Sequence, residues 1–372
     1  MPVKYHLGEF PPRELDWHRL SQIIGPANAG LARYDGLLAA MPNANVLLSP
    51  LTTQEAVLSS KIEGTQVTMG EVLEFEAGGD PENVDAPKRA DAEEVLNYRM
   101  AMHSCVGDMK DRPFSQHILR GAHQVLMQGV RGKDKSPGSY RLEQNWIGPE
   151  GGTIEQAKFV PVAPEHLQSG MDVWERYFNE ESDLDALVQL AIVHLEFEAL
   201  HPFKDGNGRL GRMLLPLNLF QRRLLASPNF YMSGYLDANR DEYLERMRAV
   251  SRDGSWTDWC IFFLNGVLEQ SAENERKVRE ILKLYNQSKL EVSNLTHSQY
   301  SIKALDFIFQ TPIFSAPQFT ERSNIPKATA ARILGILRKE GILKTIREGK
   351  GRRFGVFAFA KLINIAEGNR VF

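Results

Sequence analysis

The sequence predicts a mainly α-helical protein with one central β-hairpin and a winged helix-turn-helix at its C-terminal end. Three observations predict this fold class. Apolar residues recur three and four positions apart over most of the chain, as in helices with one buried face. A long polar, glycine-rich stretch, 131–163, interrupts the helices and holds two short segments suited to pairing as a hairpin. After about residue 290 the balance of charge changes sign, which marks a separate domain.

Composition restricts the class of protein before any motif is considered. The chain has 372 residues, of which 42% are hydrophobic and 24% charged, as in globular proteins of two or three domains. The two cysteines, Cys105 and Cys260, cannot form a disulfide framework or a thiolate zinc site, which favours a reducing compartment. No run approaches about 18 apolar residues, and the N-terminus lacks an apolar segment. We therefore expect a cytoplasmic protein with no signal peptide and no membrane partner.

The N-terminal part, residues 1–90, has the pattern of a helical region. Apolar positions predict helices over 15–40 and 51–62, although Pro26 is expected to break or kink the first of them. The apolar faces around 15–60 are also suited to pairing two copies of the chain, so a homodimer is one expected partner.

Residues 91–290 predict a helical core around two strongly apolar helices. The segment 183–200 is apolar on nearly every face, so we expect this helix to be buried among others. A second apolar helix is predicted from Met213, after a polar, glycine-rich turn. Further helices are predicted at 239–250, 256–270 and 271–290. The hairpin would pair segments around Gln144–Ile147 and Lys158–Val162.

The most informative segment is the turn at 201–212, His-Pro-Phe-Lys-Asp-Gly-Asn-Gly-Arg-Leu-Gly-Arg. Glycines at the start of a helix let backbone N–H groups approach an anion, and the helix dipole favours negative charge there. Arg209 and Arg212 add two permanent cations on one helical face. Asp205 is able to hold a magnesium ion that bridges phosphate oxygens, and His201 can take up a proton near neutral pH. Together these residue types predict a site for phosphate transfer.

Three other interpretations apply to the same turn. Its Gly-x-Gly-x-x-Gly spacing matches a dinucleotide-binding fingerprint, but that fingerprint follows a strand, whereas a helix is predicted here. His194, Glu198 and His201 have the spacing of metal ligands on one helix, but the second pair that a bundle site needs does not occur. A solvated interhelical turn is the third interpretation, and the density of charged and amide side chains argues against it.

Residues 201–212 resemble the complete signature of the Fic (filamentation induced by cAMP) family, whose members usually transfer AMP from ATP to a hydroxyl of a target protein. Residues 137–141, Pro-Gly-Ser-Tyr-Arg, and the stretch 146–161 resemble the segment leading into that family's substrate-docking hairpin, the flap. The resemblance covers roughly 90–285 and implies a helical Fic core with one hairpin. It also implies ATP and Mg²⁺ as cofactors and, as partner, a target protein with a Tyr, Thr or Ser hydroxyl.

The resemblance implies a role for each residue of the signature. His201 resembles the general base that deprotonates the target hydroxyl, and Asp205 resembles the residue that holds Mg²⁺. Asn207, between two glycines, resembles the residue that positions the α-phosphate, and Arg209 and Arg212 resemble the clamp on the β- and γ-phosphates. The residues implied in ATP binding are Glu63, Lys158, Phe159, Val160, Gly206, Asn207, Gly208, Arg209, Leu210, Gly211, Arg212, Asn239 and Tyr243.

The resemblance also concerns the target and the base of the nucleotide. Lys158–Val160 lies in the flap and would hold the target backbone as an added strand. Asn239 and Tyr243 are candidates for the adenine pocket, with ordinary packing as an equally good explanation. Some relatives transfer phosphate or phosphocholine instead, but the intact Gly-Asn-Gly-Arg segment and the two arginines favour AMP.

Residues 59–64, Ser-Ser-Lys-Ile-Glu-Gly, suggest an internal inhibitor. Glu63 lies in the last turn of a predicted helix that Gly64 caps, where a carboxylate opposes the helix dipole unless a cation is near. The segment resembles the inhibitory motif found before many Fic cores, with Ser59, Glu63 and Gly64 in the matching positions. That resemblance implies that Glu63 pairs with Arg212 and keeps activity low; in some relatives the same glutamate also helps to remove AMP. A solvated surface glutamate is the plainer interpretation.

Residues 291–372 predict a winged helix with a different partner. The segment 296–361 contains 12 lysines and arginines against 4 acidic residues. Helices predicted over Ile302–Gln310, after Ser315 and over Ala328–Glu340 precede an apparent hairpin. Such a domain predicts either protein contacts or DNA binding; in the second case the chain is a transcriptional regulator with a self-modifying Fic core. The cations expected to reach DNA are Lys327, Arg332, Arg338, Lys339, Lys350, Arg352 and Arg353.

Overall fold

The structure, a computed structural model, describes residues 1–78, 85–129, 133–149, 151–349 and 354–372. The fold is mainly α-helical, as predicted. In the described ranges the helices are α1 (Trp17–Ala39), α2 (Ala44–Leu47), α3 (Ser49–Ile62), α4 (Met69–Glu76), α5 (Ala86–Asp108), α6 (Gln116–Leu126), α7 (Pro164–Asn179), α8 (Ala186–Leu200), α9 (Asn207–Gln221), α10 (Ser233–Ala238), α11 (Arg240–Asp253), α12 (Trp256–Thr296), α13 (Ser301–Gln310), α14 (Ala316–Arg322), α15 (Lys327–Lys339) and α16 (Ala360–Glu367). The strands are β1 (Val3–Lys4), β2 (Phe159–Val160), β3 (Ile313–Ser315), β4 (Lys344–Arg347) and β5 (Val356–Ala358).

The break expected at Pro26 does not occur, and one predicted helix boundary is wrong. Helix α1 continues through Pro26, because the buried Leu20, Ala27 and Leu31 on either side hold one apolar face against the core. The two helices predicted over 256–270 and 271–290 are the single helix α12, since no glycine or proline occurs between Val267 and its end. Within the described residues, no helix combines the length and the apolar character needed to cross a membrane.

The described residues form two compact units, each assembled from separate segments of the chain. The first unit contains Met1–Gly36, Leu58–Gly64 and Asn97–Ala272. The second unit contains Leu37–Val57, Thr65–Leu96 and Glu273–Phe372. The division into three contiguous domains, with boundaries near 90 and 290, stays a prediction.

Helix α8 forms the axis of the first unit, packed between α7 and α9. All its residues except Ala186 and Glu198 are buried, which confirms the expectation for the apolar segment 183–200. The indole N–H of Trp174 donates to Val193 O at 2.9 Å, and that of Trp259 donates to Ala191 O at 2.8 Å. A helix enclosed on every side gives a fixed starting point for the turn that follows it.

The predicted hairpin is present as a single antiparallel bridge, extended by a strand from the N-terminus. Ile147 N donates to Phe159 O at 2.9 Å, which joins the two flap segments. On the opposite edge, β2 pairs in parallel with β1, and Tyr5 N donates to Val160 O at 3.0 Å. The backbone of the second flap segment is therefore paired on both sides.

The second unit contains three helices and a small antiparallel sheet near the C-terminus. Helices α13, α14 and α15 accompany strands in the order β3-β5-β4. Phe307, Phe314 and Phe319 pack together with ring centroids 5.2 to 5.5 Å apart and form the centre of its core. The assignment as a winged helix stays a prediction. Three cations predicted to reach DNA, Lys350, Arg352 and Arg353, lie outside the described residues.

Candidate functional site

His201 follows directly after α8 and is the C-cap of that helix. Its backbone has φ 48° and ψ 60°, a left-handed conformation that is uncommon for a residue other than glycine. The imidazole Nδ1 lies 3.3 Å from Glu198 O, and since a carbonyl only accepts, Nδ1 carries the hydrogen and Nε2 has a free lone pair. Burial lowers the pKa of His201 to about 4, so the ring is neutral at pH 7 and able to accept a proton.

The turn between α8 and α9 is held by hydrogen bonds across itself. Gly206, the N-cap of α9, has φ 80°, which glycine adopts without strain. Asn207 is buried; its Oδ1 accepts from Phe203 N and its Nδ2 donates to Phe203 O, both at 2.9 Å. The Asn207 side chain therefore supports the turn in this structure, and its contact with an α-phosphate stays a prediction. Phe203 is fully buried, as expected for a core anchor.

His123 on α6 supports the turn from behind. Its ring stacks on Phe203 with centroids 3.8 Å apart. Gly138 N donates to its Nδ1 at 2.8 Å, so its Nε2 carries the hydrogen and donates to Asp205 O at 3.1 Å. Burial lowers the pKa of His123 to about 4, which keeps this tautomer neutral. The sequence analysis did not single out His123, because its partners lie far along the chain.

Arg212 is held by the segment predicted to be inhibitory. Its guanidinium donates from Nη2 to Glu63 Oε1 at 2.6 Å and to Ser59 O at 2.8 Å, and from Nε to Ser59 Oγ at 2.9 Å. The Arg212 side chain is 1% exposed, whereas that of Glu63 is 41% exposed. Partial desolvation opposes ionisation of Glu63, but the attraction of Arg212 outweighs it and lowers the pKa of the carboxyl.

Two glycines of the signature leave room for neighbouring carboxylates. A Cβ on Gly208 would lie 2.1 Å from Glu63 Oε1, and a Cβ on Gly211 would lie 2.1 Å from Glu198 Oε1. A methyl group at Gly208 would therefore displace Glu63 from the start of α9. The absence of side chains at these two glycines leaves space for Glu63 and Glu198, in addition to any space it leaves for an anion.

Asp205 is the one residue of the turn suited to hold Mg²⁺. Its side chain is 46% exposed, and its Oδ1 lies 3.4 Å from Nη2 of the buried Arg209. Among the residues that the structure describes, no group of three or more His, Cys, Asp or Glu side chains is arranged to hold a metal. A magnesium ion needs only one or two carboxylates when phosphates and water supply its other ligands. A single exposed carboxylate beside this turn fits an ion that would arrive with a nucleotide.

A cavity of about 340 Å³ brings several predicted residues together. Those that line it are Glu63, Phe159, His201, Gly208, Arg212 and Tyr243. Trp146, Ile147, Met247 and Arg248 are among its other lining residues and were not predicted as site residues. Lys158, Val160 and Asn239 are not among its lining residues, and Leu210 is buried in the core. Asn239 instead donates from Nδ2 to Tyr235 O at 2.9 Å, at the junction of α10 and α11.

Tyr243 is joined to the signature through His194. The Tyr243 hydroxyl lies 2.8 Å from His194 Nε2, and His194 Nδ1 lies 3.1 Å from Gly211 O. Because the carbonyl accepts, Nδ1 donates to it and Nε2 accepts from the tyrosine. His194 is thus committed to two hydrogen bonds that place α9 against α11.

The N-terminus is anchored beside the flap by a buried cluster that the sequence analysis missed. Tyr5 donates from its hydroxyl to Glu196 Oε1 at 2.6 Å, and His6 Nε2 lies 2.9 Å from Glu196 Oε2. His6 Nδ1 lies 2.7 Å from Ser251 Oγ on α11. Burial raises the pKa of Glu196, and the two partners oppose that effect. These side chains fix β1, and through it β2, against α8 and α11.

Comparison with known proteins agrees with this geometry. The profile described as "Fic/DOC family N-terminal" matches residues 22–106, and the profile described as "Fic/DOC family" matches 113–219. A protein of Aquifex aeolicus named "Probable protein adenylyltransferase" is 24% identical over 311 residues, 82% of each chain. A Caenorhabditis elegans protein named "Protein adenylyltransferase" is 40% identical over 82 residues, which are 22% of this chain and 14% of the relative.

Solved structures show the same fold. A Fic family protein from Desulfovibrio desulfuricans aligns with a TM-score of 0.60 at 17% identity, covering 94% of this chain and 98% of the other. A C. elegans Fic-1 structure aligns with a TM-score of 0.54 at 18% identity, covering 72% and 74%. The two profiles together match just over half of the chain and include the turn 201–212 and the segment 59–64. The chain belongs to the Fic/DOC family.

Proposed function

We propose that this protein is an ATP:protein adenylyltransferase that transfers AMP to a Tyr, Thr or Ser hydroxyl of a target protein. The observation that carries the proposal is the shared cavity, in which the neutral imidazole of His201 lies with Gly208 and the guanidinium of Arg212. The names of the A. aeolicus and C. elegans relatives support the same reaction.

The reaction follows from the chemistry of the turn. The triphosphate binds to the N–H groups at the start of α9 and to Arg209 and Arg212. His201 Nε2 removes the proton of the target hydroxyl, whose oxygen attacks the α-phosphorus. The new P–O bond forms as the bond to the β-phosphate breaks, and pyrophosphate leaves. Asp205 would hold Mg²⁺, which neutralises charge on the phosphates.

The target strand is proposed to bind a different edge of the flap from the one that the sequence suggested. Lys158–Val160 uses one edge to pair with Ile147 and the other to pair with β1. N–H and C=O groups alternate along a strand, so those of Trp146 and Gly148 face away from β2. Trp146 and Ile147 are 41% and 40% exposed and line the cavity that contains His201. Trp146–Gly148 is therefore the edge offered to a target backbone.

Ser59, Glu63 and Gly64 are proposed to hold the enzyme in a resting state. The ion pair between Glu63 and Arg212 supports this, because it occupies the guanidinium proposed to bind the γ-phosphate. We propose that the same carboxylate also orients water for the reverse reaction, the removal of AMP, which its 41% exposure and its position in the lining of the cavity support.

Intact-mass spectrometry after incubation with ATP and Mg²⁺ tests the proposal. We expect Glu63→Gly protein to gain one or more AMP units, and Glu63→Gly/His201→Ala protein to gain none. A gain of phosphate or phosphocholine from the corresponding donor would assign the site to a different transfer. If AMP is gained neither by the chain itself nor by any protein of an added cell extract, the proposal is contradicted.

DNA binding through α15 is a second candidate, favoured by a row of exposed cations. Lys327, Arg332, Arg338 and Lys339 are exposed on that helix. Arg332 donates to Thr296 O at 3.0 Å, and Arg338 lies 4.7 Å over the ring of Phe357, so these two are also structural. Fluorescence anisotropy of the full chain with labelled duplex DNA tests this. Binding that weakens at least tenfold between 50 and 200 mM salt is expected from about four phosphate contacts; no binding at 50 mM excludes it.

A further inference from the structure

Arg141 is a buried arginine that has no place in the reaction as proposed. It is 2% exposed, and it is absent from the described lining of the cavity. Its Nε donates to His201 O at 2.9 Å and its Nη2 donates to Leu200 O at 3.2 Å. Nη2 also donates to Val162 O, and Nη1 donates to Glu143 O at 3.2 Å. One guanidinium thus binds four backbone carbonyls.

These carbonyls belong to three segments whose relative positions matter for the proposed reaction. Leu200 and His201 form the end of α8, where carbonyls lack intrahelical partners and a cation is favoured by the helix dipole. Glu143 lies just before the flap and Val162 just after it. The planar guanidinium, with five N–H donors and a permanent charge, is suited to such a junction, whereas a lysine ammonium is not. Arg141 N adds a further bond to Pro202 O at 2.9 Å.

The conformation of His201 explains why this junction is needed. A histidine in the left-handed region persists only where its surroundings over-determine it. Arg141 binds the carbonyl of His201 itself and, through its own N–H, the carbonyl of the next residue. The side chain of His201 has a single longer bond, 3.3 Å, to Glu198 O. The backbone bonds from Arg141 therefore do most to set the direction of the imidazole.

We propose that Arg141 is a positioning residue that holds His201 and both ends of the flap in one arrangement. The imidazole is thereby kept at a fixed place relative to the Trp146–Gly148 edge on which the target strand is proposed to lie. This inference rests on the proposed adenylyl transfer. It predicts that Arg141 affects the rate of transfer and leaves ATP binding nearly unchanged, since the hydrogen bonds described for its side chain go to the carbonyls of Glu143, Val162, Leu200 and His201, all outside the anion-binding part predicted at Gly206–Arg212.

Arg222 provides a matched control in the same unit. Its guanidinium also donates to backbone carbonyls, Phe178 O at 3.0 Å and Glu180 O at 3.2 Å, and to Asn218 Oδ1 at 3.0 Å. None of these groups belongs to the flap or the signature. Replacing Arg222 removes hydrogen bonds of the same kind without touching the proposed junction.

The test uses the full chain in the Glu63→Gly background with α-labelled ATP and Mg²⁺. The rate of self-labelling at several ATP concentrations gives a maximal rate and a half-saturating concentration. Arg141→Gln is expected to lower the maximal rate about 100-fold, the effect of a small misplacement of a reacting group. Arg141→Lys keeps the positive charge but loses the planar set of N–H donors, and it is expected to lower the maximal rate about 10-fold. Arg222→Gln should stay within about 3-fold, and all half-saturating concentrations within about 3-fold.

Two outcomes overturn the inference. One is a maximal rate within about 3-fold of the background for both Arg141 variants; the other is an equal loss for Arg222→Gln at an equal loss of Tm, which would make the effect one of general stability. If Arg141→Gln does not fold, Arg141→Lys decides the question.

A second readout separates this inference from the proposed function. In ¹⁵N-histidine NMR spectra, with the His201 signal identified by its loss in His201→Ala, the Arg141 variants should move that signal and Arg222→Gln should not. If Glu63→Gly labels neither itself nor any protein of an added cell extract, the proposed function fails; an unmoved His201 signal then also refutes the positioning role, and a moved one supports it.

Discussion

Replacing Glu63 by glycine is the change that tests the resting state most directly. Arg212 donates to Glu63 Oε1 at 2.6 Å, and the γ-phosphate is proposed to need the same guanidinium. Any productive binding of ATP must therefore first break this ion pair. Glu63→Gly removes that step and leaves the hydrogen bonds of Arg212 to Ser59 in place.

The size of the effect follows from the burial of the two partners. Exposed ion pairs contribute roughly 0–1 kcal/mol, and breaking fully buried ones costs about 3–5 kcal/mol. Arg212 is 1% exposed but Glu63 is 41% exposed, so solvent screens one end and an intermediate value of about 2 kcal/mol is appropriate. Since 1.4 kcal/mol corresponds to a factor of ten, the rate at subsaturating ATP should rise about 30-fold.

The assay is self-labelling with α-labelled ATP, with Lys61→Gly as the matched control. Lys61 lies in the last turn of α3, two residues before Glu63, and pairs with Asp237 at 2.7 Å, so its replacement also removes an ion pair and introduces a glycine there. Lys61→Gly should leave the rate within about 2-fold, because the lysine is 56% exposed and its ion pair does not involve Arg212. An unchanged rate of self-labelling in Glu63→Gly, or an equal rise in both variants, would refute the proposal that Glu63 holds the enzyme in a resting state.

Three further predictions concern single groups of the site. Ser59→Ala removes one hydrogen bond from the charged guanidinium of Arg212 to a neutral hydroxyl, worth roughly 1.5 kcal/mol, and should raise self-labelling only about 10-fold; a rise as large as that of Glu63→Gly would contradict the assignment. His123 is fully buried with its pKa lowered to about 4, so its contribution to the free energy of unfolding is complete above its unfolded value of about 6.5 and is lost as the pH falls towards 4. Urea titrations should show that the free energy of unfolding falls by on the order of 2 kcal/mol between pH 7 and pH 4.5, and that His123→Gln reduces this fall. An equal dependence of the free energy of unfolding on pH in both proteins would refute this. Burial raises the pKa of Glu198 to about 8, so the folded state binds more protons than the unfolded one and stability falls as the pH rises from about 4.3 to 8. Glu198→Gln should flatten that part of the urea profile, and an unaltered profile would count against the raised pKa.

Sequence alone predicts those parts of the fold and site that depend on residues close together along the chain. The buried helix α8 follows from an apolar run, and the turn at 201–212 from glycines, arginines and an aspartate within twelve residues. The contact of Glu63 with Arg212, residues 149 apart, was inferred only because a known inhibitory motif implies it. No local rule of helix capping identifies the partner of a badly placed carboxylate.

The missed residues act through the tertiary structure. Arg141 was part of the Pro-Gly-Ser-Tyr-Arg string, but a string does not show that its last side chain binds carbonyls about 20 and 60 residues away. His123 carried no signal, because its role depends on Phe203 stacking against it. The break expected at Pro26 failed for a related reason: packing of the surrounding apolar face outweighs the loss of one helical hydrogen bond.

The N-terminal strand shows most clearly why the flap could not be derived in full. A strand of two residues has no periodicity, and β1 pairs with β2 across more than 150 residues of sequence. Its register is set by side chains that follow it, since Tyr5 and His6 both bind the buried Glu196. Glu196 is on α8, two residues before the carbonyl that His201 Nδ1 faces, so the same helix orients the imidazole and closes one edge of the flap. A target strand is then left with the Trp146–Gly148 edge, the one that lines the cavity containing His201.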